Sequence, residues 1–334
     1  MTAPSRGAFR SLRTYNYRIW AAGALVSNTG TWMQRIAQDW LVLTQLTAHN
    51  ATAVGVVMAL QYGPHLVLLP FTGYAADLLD RRKLLLATQL GMSVLAASLG
   101  LLTITGAIQL WEVYVIALVQ GCITAFDAPA RHTFVSELVG ETDLSNAVAL
   151  NSTSFNAARM VGPAAAGLTI AAVGSGWAFL INAASFVAVL GSLTLLRVDD
   201  LHRSEKATRT RGGLIDGFRY VWRRADLKTI LVMLFLIGTF GMNFPIFIST
   251  MSVTVFHVGA GEYGLLTSIM AIGTITGALL AAGREKPRFV LLIAGAAVFG
   301  ARLCAGFCDA ELLAVRRHAR DHRRVGADLQ QFHQ

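Results

Sequence analysis

Five long stretches of the chain contain no charged residue. They cover positions 40–76, 84–111, 160–196, 229–261 and 263–283, which is 37, 28, 37, 33 and 21 residues. A helix needs about 20 predominantly apolar residues to cross the hydrocarbon core of a bilayer. Only 14% of the 334 residues are charged, against about a quarter in soluble domains, so a set of soluble domains is excluded. The pattern predicts an all-α polytopic membrane protein.

Glycine, proline, asparagine and charged residues divide the apolar parts of the chain into at most nine spans. The predicted helices cover residues 19–46, 52–76, 84–105, 112–130, 148–172, 177–196, 229–255, 263–282 and 289–307. Six spans precede a long polar segment and three follow it, as two bundles joined by a linker would. We therefore expect a six-helix domain over 1–196, a cytoplasmic basic linker over 197–228 and a partial second bundle over 229–308. The linker is either a solvated tether or a specific site for lipid or a partner.

Lysine and arginine are concentrated in alternate loops. Loops 1–18, 77–83, 131–147, 197–228 and 283–288 contain four, three, one, nine and three of them. The intervening loops 47–51, 106–111, 173–176 and 256–262 contain none. Because such loops stay in the cytoplasm, we predict a multi-pass protein of the inner (plasma) membrane with a cytoplasmic N-terminus. The net charge of +9 then reflects topology, so we expect the lipid bilayer, and no nucleic acid, as a partner.

The composition changes after about Gly300. Segment 289–301 offers only 13 uncharged positions before Arg302, and 309–334 is basic and polar. Neither segment can supply the further spans that would bring the second bundle to six, as in the first, so the second half is expected to be incomplete. Residues 309–334 are predicted to be disordered, as an authentic tail or the product of a shifted reading frame. The three cysteines match no zinc-site spacing, so we expect no metal and no cofactor.

The loop between the second and third spans carries a signature. It resembles the signature loop of the major facilitator superfamily, G-x-x-x-D-R-x-G-R-K/R. The matching residues are Gly73, Asp77, Arg81 and Arg82, whereas Leu78 and Asp80 depart from the pattern. The small residue allows close helix approach, and the acid can pair with an arginine four positions on. The resemblance implies a major-facilitator-type bundle in which Gly73, Asp77, Arg81 and Asp127 form a charge relay that holds one conformation.

The fifth span carries a glycine and proline pattern. Gly162, Pro163 and Gly167 match the superfamily's antiporter motif, G-x-x-x-G-P-x-x-G-G, while Ala158 and Ala166 replace glycines. Proline bends a helix and small neighbours permit close packing. In the fourth span the family's R-x-x-Q-G element keeps Gln120 and Gly121 but has Ala117 in place of the arginine.

Further segments resemble the branch that includes enterobactin exporters and macrolide efflux proteins. These are 28–34 with 40–42, 126–131, 134–138 and 146–151. The resemblance implies a secondary active transporter that exports an amphipathic drug or siderophore in exchange for protons. The alternative is a truncated, transport-incompetent membrane protein, since alternating access needs two bundles. We do not expect an enzyme, because the sequence has no H-E-x-x-H, G-x-S-x-G or paired metal-ligand motif.

Ionisable residues within spans are the first candidates for function, because a charge there is costly. Asp39 is a candidate proton or cation site whose proton affinity Arg35 or Arg159 would adjust; alternatively, Asp39 and Arg35 form a structural ion pair near the outer interface. Polar residues that either line a cavity or bond neighbouring helices are Gln34, Gln61, Asn156 and Asn243. His65 is expected to be a packing residue.

Cysteine labelling tests the predicted orientation. In a background with the native cysteines replaced by serine, a cysteine at Thr47 should react with a membrane-impermeant thiol reagent in intact cells. A cysteine at Thr208, in the linker, should react only after the cells are opened, because basic loops remain inside. The reverse pattern would place the N-terminus outside.

Overall fold

The computed structural model describes residues 9–202, 219–220, 222–236, 244–256 and 258–282. Within these ranges the side chains of several residues, including Tyr74 and Asp77, lie outside the description. The described helices are α1 (Tyr15–Leu41), α2 (Ala51–Leu78), α3 (Arg81–Ile104), α4 (Leu110–Leu138), α5 (Glu141–Val173), α6 (Ser175–Thr194), α7 (Ala225–Leu236), α8 (Phe244–Thr254) and α9 (Ala260–Ala282). A π-helical turn, Val42–Leu46, extends α1. The part of the chain that is described contains helices and no strands, as the sequence predicts.

Four of the described helices are long and apolar enough to cross a membrane by themselves. They are α3, α4, α6 and the segment Ala51–Leu68 of α2. Helices α1 and α5 are longer than a span requires but contain more polar residues. Asn16, Gln34, Gln38 and Asp39 of α1 are all buried, so the bundle rather than the lipid surrounds these polar side chains.

Two helices extend further than the sequence predicts. Helix α4 continues through Pro129 to Leu138, and α5 begins at Glu141, so most of the predicted loop 131–147 is helical. With 29 residues, α4 is about 43 Å long, which exceeds the hydrocarbon core of about 30 Å. Charged residues therefore mark where the hydrocarbon ends and do not mark where the helices end. The predicted bounds at 130 and 148 are wrong for this reason.

Local sequence explains several helix boundaries. The Asn50 side chain accepts hydrogen bonds from the first turn of α2, and the Asp80 side chain accepts one from the backbone of Lys83 at the start of α3. Gln109 and Glu112 form a capping box for α4. Gly174, with φ of 92°, makes the tight connection between α5 and α6.

Six helices, α1 to α6, pack around one another, mainly α1 on α5 and α6, α3 on α4 and α6, and α2 on α4. The chain's first unit holds these helices together with α8 and most of α9, and its second unit contains α7 from Asp226 onward. The predicted span 229–255 thus appears as α7 and α8, with 237–243 outside the described residues. The predicted span 289–307 and the tail 309–334 also lie outside them. The domain boundaries predicted from the sequence stay a prediction.

The bundle core has an apolar cluster at each end. Tyr17, Trp20, Phe134 and Leu193 anchor the cluster at the end that contains the start of α1, which we call the N-terminal side. Leu41, Leu99, Phe179 and Tyr263 belong to the cluster at the opposite side. Buried polar residues lie among and between the two clusters, including Gln34, Gln89, Gln120, Asp127 and Asn182.

A substitution at Gly121 tests how closely α2 and α4 must approach each other. A Cβ atom at this position would lie 2.6 Å from the carbonyl oxygen of Leu60 and 2.7 Å from that of Gln61. These are backbone atoms that cannot rotate away, so Gly121→Ala should destabilise the protein by about 1–3 kcal/mol, as overpacking does. The measurement is the midpoint of thermal unfolding in detergent.

Gly191→Ala in α6 is the matched control, since a Cβ atom there meets nothing within 4 Å. This variant should unfold at the wild-type temperature or slightly above it, because alanine favours helices over glycine. Equal midpoints for the two variants would show that the α2–α4 contact is not close.

Candidate functional site

A cavity of about 400 Å³ lies among helices α1, α2, α4 and α5. Its volume falls within the range of small-molecule pockets, about 300–1,000 Å³. Polar and charged residues in its walls include Asn28, Arg35, Gln61, Gln120, Asp127 and Asn156. The wall residues of α1 and α2 lie near the middle of these helices, whereas those of α4 and α5 continue from the middle toward the N-terminal side.

Aromatic rings and two arginines meet at one wall. The Arg35 guanidinium lies 4.8 Å from the centroid of the Trp32 ring, and that of Arg159 lies 5.4 Å from the same centroid. Phe155 contacts Trp32 edge to face at 5.7 Å. Arg35 also donates a 2.8 Å hydrogen bond to the Tyr62 hydroxyl. The predicted candidates Arg35 and Arg159 are therefore brought together through Trp32.

Asp127 is the acidic residue of the cavity wall. Its carboxylate accepts hydrogen bonds from Thr88 at 2.8 Å and Gln89 at 2.6 Å, and it pairs with Arg131 at 3.1 Å. Arg131 donates in addition to Asn28 at 3.3 Å. The carboxylate is thus neutralised and bonded from two helices, which makes it an anchor between α3 and α4.

The predicted charge relay is partly described. Arg81 forms a part-buried ion pair with Glu137, which links the start of α3 to the end of α4. The described partners of Asp127 are Thr88, Gln89 and Arg131. Asp77 lies outside the residues whose side chains are described, and the relay of Gly73, Asp77, Arg81 and Asp127 stays a prediction.

The other polar candidates divide between two roles. Gln61, Asn156 and His65 line the cavity. Gln34 is buried outside it; its side chain accepts a 2.6 Å hydrogen bond from Asn182 and donates one of 3.4 Å to Gln120. Gln34 thereby joins α1, α4 and α6. Asn243 lies outside the described residues.

Asp39 is buried, with 6% of its surface exposed. Among the described residues no cation lies within ion-pair distance of it, and Arg35, one turn away, bonds Tyr62 instead. The carboxyl group lies beside the Tyr263 hydroxyl of α9, which is buried without a well-formed hydrogen bond. The neighbouring Trp40 ring stacks on the ring of Tyr263 at 5.9 Å and 22°.

The antiporter-like motif makes two close helix contacts. A Cβ atom at Gly162 would lie 2.6 Å from Trp32 Cβ of α1, and one at Gly167 would lie 2.7 Å from the Ala260 carbonyl oxygen at the start of α9. On the other helix, a Cβ atom at Gly264 would lie 2.5 Å from the Pro163 carbonyl oxygen. Small residues on both helices thus bring α5 and α9 together at the opposite side.

Sequence reasoning missed part of this arrangement. Tyr263 was identified only as the first residue of a span, and Thr88, Gln89 and Phe155 were not singled out. Thr88 and Gln89 are polar residues within an uncharged stretch, and this signal could have identified them as partners for an intramembrane acid. No pattern in the sequence indicates that Tyr263 lies against Asp39, because the contact joins distant helices.

Comparison with known proteins gives the family. Residues 6–315 match the family model described as "Transmembrane secretion effector". The chain belongs to this family of the major facilitator superfamily. This membership confirms the recognition made from the motifs and the fold class. It also confirms that the chain is a membrane transporter-family protein rather than an enzyme.

Three relatives from bacteria illustrate the similarity. The chain is 28% identical to the staphyloferrin A transporter of Staphylococcus aureus (75% of this chain, 63% of that protein) and 27% identical to the multidrug efflux pump Tap of Mycolicibacterium fortuitum (63% and 53%). It is 23% identical to the enterobactin exporter EntS of Shigella flexneri (75% and 60%). The chain therefore spans 53–63% of the length of these relatives.

One solved structure shows the same fold. It is a bacterial homolog of the human lysosomal transporter Spinster, in an inward-facing and unoccupied conformation. The TM-score is 0.59 at 13% sequence identity, over 80% of this chain and 63% of that one. At this identity the similarity concerns the fold alone.

Gly264→Ala should loosen the packing of α5 against α9 at the opposite side of the bundle. The added methyl group meets the backbone of Pro163 and Gly167, so the α5–α9 contact must loosen. A cysteine introduced at Ala260, which is buried at this contact, should then react faster with a water-soluble thiol reagent. A strain of one or two kcal/mol corresponds to about a 5- to 30-fold increase in rate.

Gly273→Ala on the same helix provides the control, because a Cβ atom there meets nothing within 4 Å. It should leave the labelling rate of the Ala260 cysteine unchanged. An unchanged rate in Gly264→Ala would mean that this glycine contact does not close the transporter.

Proposed function

We propose that the protein is a proton-coupled exporter of amphipathic small molecules that works by alternating access in the plasma membrane. The three relatives compared above transport siderophores or drugs, as their names state. The observation that carries the proposal is the cavity itself, which combines aromatic rings with polar and charged groups. Such walls suit a molecule that has an apolar body and a polar end.

The position of the cavity supports export from the cytoplasm. Its α4 and α5 walls extend toward the N-terminal side, whereas Gly167 and Gly264 bring α5 and α9 together at the opposite side. With the N-terminus in the cytoplasm, as the loop charges predict, this is an inward-facing arrangement that can load substrate from inside.

Asp39 is the proposed site of proton coupling. A carboxylate ion buried without a cation is costly, whereas a neutral carboxylic acid is not. Loss of the proton should therefore disfavour the arrangement in which Asp39 lies against Tyr263, and should release α1 from α9. This linkage would connect proton binding to the opening of the opposite side.

Dye uptake into everted membrane vesicles tests the function. Vesicles from an efflux-deficient host that expresses the chain should accumulate an amphipathic dye when respiration drives protons inward, and an uncoupler should abolish the uptake. The dyes are ethidium, a cation, and carboxyfluorescein, an anion, so that the result does not depend on the charge of the substrate. Asp39→Asn should reduce uptake to the level seen with the uncoupler.

Asp199→Asn is the matched control, since Asp199 is exposed beyond the end of α6. Its uptake should equal that of the wild type. Uptake that survives the uncoupler or Asp39→Asn would contradict proton coupling through Asp39. If the wild-type chain accumulates neither dye but binds ligands in its cavity, the transport-incompetent alternative is supported.

A further inference from the structure

Two arginines, one on α1 and one on α5, share one aromatic ring beside the cavity. Both guanidinium carbons lie about 5 Å from the centroid of Trp32, so they are no more than about 10 Å apart. The face of an indole ring attracts a guanidinium, and the stack fixes the orientation of the guanidinium plane. A guanidinium has five N–H donors, and Arg35 uses one of its groups on Tyr62, so donors remain for a ligand.

Neither arginine forms an ion pair within bonding distance in the described part of the chain, although Arg35 interacts electrostatically with Asp39 one turn away. The ion pairs described there are Arg10–Asp143, Arg81–Glu137 and Arg131–Asp127. Arg35 donates to a neutral phenol, that of Tyr62. Asp39 lies on the next turn but is buried against Tyr263 of α9 and is not part of the cavity wall. Two like charges at membrane depth without a carboxylate partner are costly, and an anion between them would relieve the cost.

The cavity beside them is positively charged as a whole. Its charged wall residues are Arg35, Arg131 and Asp127, and the last two neutralise each other. The unmatched charge in the wall is that of Arg35, and Arg159 adds a second positive charge 5.4 Å from the centroid of the Trp32 ring. Phe155 and Tyr62 supply apolar surface next to Arg35. A ligand that matches this wall carries a negative group joined to an aromatic or other apolar body.

We propose that Arg35 and Arg159, held on Trp32, recognise an acidic group, so that the preferred substrates are amphipathic acids. This inference rests on the proposed function, since it names the substrate class of the same cavity. Arg35 would bind the anionic group through its free N–H edge, as a charge-assisted hydrogen bond. Arg159 would add electrostatic attraction across the ring, while Phe155 and Tyr62 contact the apolar body.

A pair of probes that differ only in charge tests the proposal. Pyrenebutyric acid is ionised at pH 7, and its methyl ester is neutral. Binding of each to the full chain in lipid nanodiscs is measured by energy transfer from tryptophan to pyrene, with empty nanodiscs as the blank. The wild type should bind the acid about 10-fold more tightly than the ester, the size expected for one hydrogen bond to a charged group.

Arg35→Gln should remove most of this preference and leave binding of the ester within about two-fold, which also shows that the variant is folded. Arg159→Gln should reduce the preference, and Arg35→Lys should retain part of it, because a lysine keeps the charge but loses the planar fork. Arg197→Gln is the matched control. Arg197 also stacks on an aromatic ring, Tyr15, at 4.3 Å, but at the N-terminal side and outside the cavity wall.

Three results would overturn the inference. Equal affinity of the wild type for the acid and the ester would refute recognition of charge while leaving the cavity, and the proposed function, intact. Recognition of charge by these two arginines is also refuted if the preference for the acid survives in both Arg35→Gln and Arg159→Gln. If neither probe binds above the empty nanodiscs, the cavity does not take amphipathic ligands, and the proposed function fails together with the inference.

Discussion

Polar side chains inside a bundle that is embedded in lipid have no water to bond, and this constraint organises the structure. Each must find a partner on a neighbouring helix or face a cavity that admits water. Gln34 takes the first solution through Asn182 and Gln120. Asn156 takes the second, at the cavity wall. The buried polar residues thus hold neighbouring helices together through hydrogen bonds, and other polar residues line the cavity.

The same constraint explains why much of the fold could be predicted from the sequence. The long apolar segments, with few charged residues, identify the first six helices, and their order together with the glycine and proline motifs indicates the family. Gly162 and Gly167 were predicted to allow close packing, and each lies against another helix, α1 and α9 respectively. Helix ends were less predictable. Helix α4 continues to Leu138 because a helix can extend beyond the hydrocarbon, where its charged residues meet water.

The partners of polar residues could not be predicted in the same way. Arg35 and Asp39 lie one turn apart, so local spacing favours an ion pair, yet Arg35 donates a hydrogen bond to Tyr62 of α2 and Asp39 lies beside Tyr263 of α9. Both choices depend on which helices are neighbours, and a single sequence does not reveal this. The distinction matters for function, because within the described residues neither Arg35 at the cavity nor Asp39 at the α1–α9 contact has an oppositely charged group at ion-pair distance.

The most direct test of this account is the water accessibility of individual polar positions. Single cysteines at Thr124 and Asn156, which line the cavity, should react with a membrane-impermeant thiol reagent in everted vesicles. Cysteines at Asn182 and Ser192, which are buried between helices, should not react under the same conditions. Equal reactivity of the two pairs, or reaction of the second pair alone, would contradict the division of polar residues between a cavity and interhelical contacts.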